Sequence, residues 1–204
     1  MRGHRAAALA AGFGFCALMA APRTAGAQEE VAAEEEEVRS SILLGGALGF
    51  GGMSFSIDGE EEVSYDDATG LQLSFGGMVM PQLALGIDLT VLLARDEPEG
   101  GGEDLRVFER AIGVWGRYWI IPRLWLEAGI ASVRAGASSD FAEYPTYDGA
   151  QIHGAAGFEI LHRTHWAIDV SLRLAAAGYG DESDVGGTFS SQSAALLVGF
   201  AWFR

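Results

Sequence analysis

Residues 83–93 read LALGIDLTVLL. Leu83, Leu85, Ile87, Leu89, Val91 and Leu93 fall on one parity. Ala84, Gly86, Asp88, Thr90 and Leu92 fall on the other. A period of two is the mark of a strand with two unlike faces. One face here is apolar without a break, and the other is small or polar with a carboxylate in the middle. The run is also long for a strand of a water-soluble sheet, where about 5–6 residues is usual. It matches the ~9–11 residues needed to cross a bilayer at a tilt.

The same pattern recurs on either side. Leu71, Leu73 and Phe75 alternate with Gln72, Ser74 and Gly76, and Ile168, Val170, Leu172 and Leu174 alternate with Asp169, Ser171 and Arg173. Pro81 and Pro122 each separate two such runs, and a third junction is centred at Arg163. Both intervals are 41 residues. The repeating unit is strand, loop, strand, short turn. Reflecting each strand about its turn sets apolar against apolar, as a two-faced sheet requires. About Pro81, Leu83 meets Val79, Ile87 meets Phe75 and Leu89 meets Leu73. About Pro122, Leu124 meets Ile120 and Leu126 meets Tyr118. About Arg163, Trp166 meets Ile160 and Ile168 meets Phe158.

Polar segments at Asp58–Ala68, Arg95–Asp104, Gly136–Gly149 and Gly178–Gly187 supply the longer connections. Eight strands follow, at about 41–56, 69–79, 83–94, 105–120, 124–135, 150–161, 166–177 and 189–203. The expected fold class is all-β: a transmembrane up-and-down antiparallel β-barrel of about eight strands, spanning residues 40–204. Lipid offers backbone groups no partner, so a chain with no apolar run of ~20 residues after its leader can span only as a closed barrel.

Ahead of the barrel, residues 1–27 read as a secretory signal. Arg2 and Arg5 precede the apolar stretch Ala6–Ala21, and Ala25-Gly26-Ala27 fits a small-x-small box that places cleavage between Ala27 and Gln28. Residues 28–39, with Glu29, Glu30 and Glu34–Glu37, read as a solvated acidic lead-in. The sole cysteine, Cys16, lies in the leader without a lipidation box, so the mature chain is expected to hold no disulfide and no thiolate site. Lysine is absent. Loss of Arg2, Arg5 and Arg23 moves the formal charge from −15 to −18, which argues against nucleic acid as a partner.

The final strand carries Leu196, Val198, Phe200 and Trp202 in alternation and closes on Phe203-Arg204. With the strand count, this resembles the eight-stranded outer-membrane barrel family that contains the outer membrane protein A and X types. The resemblance covers about Ser40–Arg204. It departs from the family at Arg204, where the usual last residue is Phe. It implies a cell outer-membrane location, both chain ends in the periplasm and acidic loops outside. The implied partners are outer-membrane lipid, lipopolysaccharide and the barrel-assembly machinery, with a monomeric state.

An eight-stranded interior is just wide enough for side chains to fill. The inward parity collects Asp88, Arg117, Glu127, His153, Glu159, Asp169 and Arg173. Reflection sets Arg117 opposite Glu127 and His153 opposite Arg173, so the set reads as a salt-bridged plug; a proton or ion path is the alternative. Trp119 and Trp125 face each other near the short turns, and Tyr118, Trp166 and Trp202 lie at the same end on the outer face. The group suggests an interfacial aromatic girdle. His153, Asp169 and Ser171 share the inward parity, but His153 and Ser171 are set too far apart for a catalytic relay. His162 and His165 fall in a turn, and a metal site would need more ligands. Glu60-Glu61-Glu62 with Asp66 and Asp67 lacks calcium-loop spacing. Glycine pairs such as Gly45-Gly46 and Gly51-Gly52 precede no helix and suit barrel bends. Neither catalytic residues, a metal nor a cofactor is expected. The leading function is a non-enzymatic structural or surface-interaction barrel. The alternatives are a barrel enzyme acting on lipid and a secreted soluble lipocalin-like binder.

Overall fold

The computed structural model describes residues 42–57, 62–96, 105–139, 143–180 and 189–204. The signal segment, the cleavage point at Ala27 and Gln28, and the acidic stretch 28–39 lie outside them. Eight strands form: β1 Ile42–Ile57, β2 Val63–Met80, β3 Leu83–Asp96, β4 Leu105–Ile121, β5 Leu124–Ser138, β6 Glu143–Arg163, β7 Trp166–Tyr179 and β8 Phe189–Phe203. Each pairs antiparallel with its sequence neighbours, and β1 pairs with β8 to close the barrel. Closure is sealed by reciprocal backbone bonds between Ile42 and Arg204 at 3.0 and 3.1 Å. No helix among the described residues is long and apolar enough to cross a membrane; the strands provide the crossing.

The two faces are inverted relative to a soluble protein. Ile112, Ile130 and Ile152 are each 62% exposed on the outside, whereas Asp88, Arg117 and Glu127 are buried inside. Ile87, Leu89 and Leu172 are likewise exposed, so the greasy parity points outwards. Water would not tolerate this surface; a hydrocarbon phase requires it. The barrel is therefore a membrane-spanning one of the outer-membrane type.

The strands run farther into the polar segments than their alternation predicts: within Asp58–Ala68 and Gly136–Gly149, expected as connections, β2 starts at Val63 and β6 at Glu143. Beyond hydrocarbon the outer face need not be apolar, so the ladder continues where alternation has stopped. Arg95 likewise belongs to β3 and not to a connection.

The short turns share one device. Each hairpin carries a bulge beside its turn, at Met78/Met80, Trp119/Ile121 and Glu159/Leu161. The extra residue lets two successive apolar side chains face outwards: Val79-Met80, Ile120-Ile121 and Ile160-Leu161 are all exposed. Leu83 consequently pairs with Met80 and Leu124 with Ile121, not with Val79 and Ile120. Beyond these bulges the reflections about Pro81 and Pro122 hold: Ile87 meets Phe75, Leu89 meets Leu73 and Leu126 meets Tyr118. The third reflection is displaced. Its turn lies at Thr164-His165, so Trp166 pairs with Arg163, Ile168 with Leu161 and Phe158 with Val170. The second residue of each turn also caps the next hairpin. The carbonyls of Gln82, Arg123 and His165 accept from the amides of Trp119, Glu159 and Phe203 at 2.8–2.9 Å.

Candidate functional site in the lumen

Residues of the inward parity fill the axis in tiers. At the short-turn end, Trp115, Trp119 and Trp125 pack with Leu43, Ala84, Ala167, Ala201 and Phe203. Glycines make room for the indoles. A Cβ on Gly157 would sit 2.1 Å from Trp125, and one on Gly86 would sit 2.5 Å from Trp115. Trp119 and Trp125 are thus lumen plugs and no part of an interfacial girdle. Of the aromatics expected there, Tyr118 is exposed, while Trp166 and Trp202 are partly so, and Trp166 stacks on Phe200 at 6.2 Å.

Arg117 lies within this tier. Its Nη2 and Nε donate to Glu127 Oε2 at 2.8 and 3.1 Å, and its guanidinium covers the Trp125 ring at 3.9 Å. The ion pair is thereby bracketed by a cation–π contact, and such contacts gain strength when desolvated. Glu159 accepts from Trp119 Nε1 at 2.7 Å and lies 2.7 Å from His162 Nδ1. Asp169 is buried in the same part of the lumen; its carboxylate would lie 2.8 Å from a Cβ on Gly199, so that glycine gives it room.

The middle tier centres on Asp88. Its Oδ2 accepts from Arg173 Nη1 at 3.1 Å, Gln72 Nε2 at 3.3 Å and Thr90 Oγ1 at 3.4 Å. Arg173 also lies 3.8 Å from Glu127, linking this tier to the one below. His153 is buried with Nε2 4.0 Å from Asp88. It does not oppose Arg173: it pairs with Ala175, and Arg173 pairs with Ala155. The cause is the displaced third turn and its bulge. Ser171 pairs with Gly157, four residues along β6 from His153, which is about 13 Å at ~3.3 Å per residue. That separation exceeds hydrogen-bond reach, so no Ser–His–Asp relay forms there.

A further tier lies toward the long-loop end and was missed in the sequence. Glu109, 3% exposed, accepts from Gln151 Nε2 at 2.8 Å, Tyr179 OH at 2.9 Å and Ser191 Oγ at 2.6 Å. Parity could have found all four. Glu109 is in phase with Arg117 on β4, Gln151 with His153 on β6, and Tyr179 with Arg173 on β7. Above them Phe189 packs against Phe55, Tyr147 and Tyr179 with ring centres 4.7–5.6 Å apart. Between Glu109 and Arg173 lies an internal void of about 10 Å³ lined by Thr90, Gln151 and Ser193, room for about one water. Among the described residues no group of His, Cys, Asp or Glu converges as a metal site. Glu62, Asp66 and Asp67 are exposed.

This geometry defines a class: a closed eight-stranded membrane barrel with a filled, polar lumen. No protein-family model matches the chain, and no curated protein matches it in sequence. Solved structures do match in fold. The crystal structure of Neisserial surface protein A (NspA) aligns at 12% identity with a TM-score of 0.53, covering 80% of this chain and 96% of that one. Ail, the attachment invasion locus protein of Yersinia pestis, solved with the heparin analogue sucrose octasulfate, aligns at 13% identity with a TM-score of 0.50. It covers 79% of this chain and 99% of that one. The likeness is one of fold: both are barrels of the outer-membrane type.

Proposed function

We propose that this chain is a non-enzymatic outer-membrane barrel, monomeric, with a structural or surface-interaction role. The supporting observation is the lumen itself. Asp88, Arg173, Glu127 and Arg117 are linked in a chain of opposite charges, and aromatic packing lies at both ends. A filled axis of this kind stiffens a cylinder, and among the described residues His153 is buried within it. The short turns lie in the periplasm, and the longer connections carry the exterior contacts. Insertion runs through the barrel-assembly machinery, and the partners are the lipids of the membrane.

The test is cell fractionation followed by a denaturing gel of heated and unheated samples. The expected result is a heat-shifted band in the outer-membrane fraction. A soluble periplasmic band without a heat shift would refute the reading. Lipid-modifying activity lost on His153→Ala would refute its non-enzymatic part.

A further inference from the structure

Charge at the short-turn end of the barrel is one-sided. Arg123 in the β4–β5 turn, Arg163 at the end of β6 and Arg204 after β8 are all exposed, with His165 exposed in the β6–β7 turn. Backbone bonds place them along one arc. The Arg123 carbonyl accepts from Glu159 of β6, the His165 carbonyl accepts from Phe203 of β8, and Arg204 exchanges bonds with Ile42, the first residue of β1. Arg163 sits across its hairpin from Trp166, and its Nη1 donates to the His162 carbonyl at 3.3 Å. Among the described residues none of these three guanidinium groups meets a side-chain carboxylate. The acidic side chains nearest this end, Glu127, Glu159 and Asp169, are buried in the lumen, whereas the exposed Glu62, Asp66, Asp67 and Asp148 lie at the other end. Against the three arginines stands the α-carboxylate of Arg204, which accepts from the Ile42 amide at 3.0 Å.

One segment is brought to this end by the chain itself. Residues 28–39 hold Glu29, Glu30 and Glu34–Glu37 against Arg39, and they lead into β1 at Ile42, beside Arg204. An extended chain reaches ~3.3–3.6 Å per residue, so Glu37 reaches up to about 17 Å from Ile42 and Glu34 up to about 27 Å. Neighbouring strands are ~4.8 Å apart, so Arg204, Arg163 and Arg123, one, three and four strands from β1, lie about 5, 14 and 19 Å along the arc. The whole rim is therefore within range of the acidic run. Exposed ion pairs are individually weak. A tether offsets this weakness, because a short leash holds the carboxylates near the arginines at an effective concentration in the millimolar range.

We propose that the acidic run Glu34–Glu37 docks on the rim formed by Arg123, Arg163 and Arg204 and lies across the short-turn mouth of its own barrel. Guanidinium groups take carboxylates by paired donors. The occupant is this segment because, of the acidic stretches of the chain, it alone joins the barrel at this end; the others connect strands at the opposite end. The acidic lead-in then acts as a strap that shields the basic rim from other anions, and salt releases it. The inference stands on the position of the rim and on chain order, and it goes beyond the structural role proposed above.

The test exploits a gap in the composition. The chain contains no lysine, so a single Arg→Lys substitution supplies its only side-chain ammonium while keeping the charge. R123K, R163K and R204K are prepared separately in the full chain, in vesicles of neutral phosphatidylcholine, with R95K at the long-loop end as the control. A water-soluble carbodiimide activates a carboxylate, and a lysine amine in contact with it displaces the urea by-product to form an amide; peptide mass spectrometry then maps the link. R163K and R204K should link within one chain to Glu34–Glu37, R123K should do so at lower yield, and R95K should not. At about 1 M salt, where the screening length falls to ~3 Å, the yield should drop by about fivefold or more. The heat shift on a gel verifies that each variant is folded, and any one folded rim variant carries the test. Absence of links to Glu34–Glu37 from the folded rim variants, equal linking from R95K, a yield indifferent to salt, or links found only between two copies would overturn the proposal. Loss of the links on adding phosphatidylglycerol would assign the rim to lipid headgroups and overturn it as well.

Discussion

Glu127 and Glu109 are two buried carboxylates in one lumen, and they are accommodated in opposite ways. Glu127, near the short turns, faces two guanidinium groups, with Arg117 at 2.8 Å and Arg173 at 3.8 Å. Glu109, nearer the long loops, receives three neutral donors from Gln151, Tyr179 and Ser191. The difference teaches how charge is distributed in a filled barrel. Beside the indoles, Glu127 is matched by cations. Where hydroxyls and amides line the wall, hydrogen bonds alone stabilise Glu109, since bonds to a charged acceptor are stronger than neutral ones.

Breaking the first arrangement should have the largest effect. Glu127→Ala leaves Arg117 buried against Trp125 without its carboxylate and strips Arg173 of one neighbour. The expected cost is about 3–5 kcal/mol, since removal of one partner leaves an uncompensated buried charge. Urea unfolding in neutral lipid vesicles, followed by tryptophan fluorescence and by the gel shift, measures it. If Glu127→Ala costs no more than Glu109→Gln, the distinction between the two tiers fails.

Packing separates the two ends next. Gly157→Val drives a side chain into Trp125, and overpacking of this kind costs about 1–3 kcal/mol or more. Gly154 lies on the same strand, but its added Cβ would meet only the Glu127 carbonyl oxygen at 3.6 Å. Gly154→Ala should therefore be neutral, or stabilising by about 0.5 kcal/mol through the lost chain entropy of glycine. Equal effects of the two substitutions would show that the indoles do not define the tight end.

The Glu109 tier should respond more mildly. Glu109→Gln keeps the shape but turns an amide toward donors, leaving at least one of them unmatched. Tyr179→Phe removes one donor of three. Costs of about 1–3 and 0.5–1.5 kcal/mol follow for the two, from the price of an unmatched buried donor and of one hydrogen bond. A Tyr179→Phe effect as large as that of Glu127→Ala would mean that the neutral tier is the anchor of the fold.

These contrasts also mark what was legible in the sequence. Strand phase could be read because lipid outside and polar groups inside impose opposite demands on alternate residues; hence Asp88, Arg117 and Glu127 were assigned inward from parity alone, and all three are buried. Register could be read where Pro81 and Pro122 punctuate the turns. It slipped at Arg163, where no proline marks the turn at Thr164-His165 and a bulge at Glu159/Leu161 shifts the count. His153 was for that reason set against Arg173 when it faces Ala175. Glu109 was missed although its phase was available, because no opposite charge pairs with it across the ladder: its sheet neighbours are Leu92 and Ala135.

The smallest effect is expected from a pair that looks like the strongest. Arg134 and Asp148 make two bonds of 2.6 and 2.8 Å, as close as those of Arg117 and Glu127. Both side chains are more than half exposed at the outer rim, whereas those of the lumen pair are 8% and 1% exposed. Donor atoms and distances are thus similar, Arg134 gripping both oxygens of Asp148 and Arg117 one oxygen of Glu127, while the surroundings change. Exposed pairs gain little because water screens the attraction and ordering two side chains carries an entropic cost. Arg134→Ala and Asp148→Ala, singly or together, should leave the urea midpoint in neutral lipid vesicles unchanged. A double-mutant cycle on Arg117 and Glu127 should give a clear coupling energy under the same conditions. Equal coupling in the two cycles would show that bond geometry, and not removal from solvent, sets the strength of the lumen network.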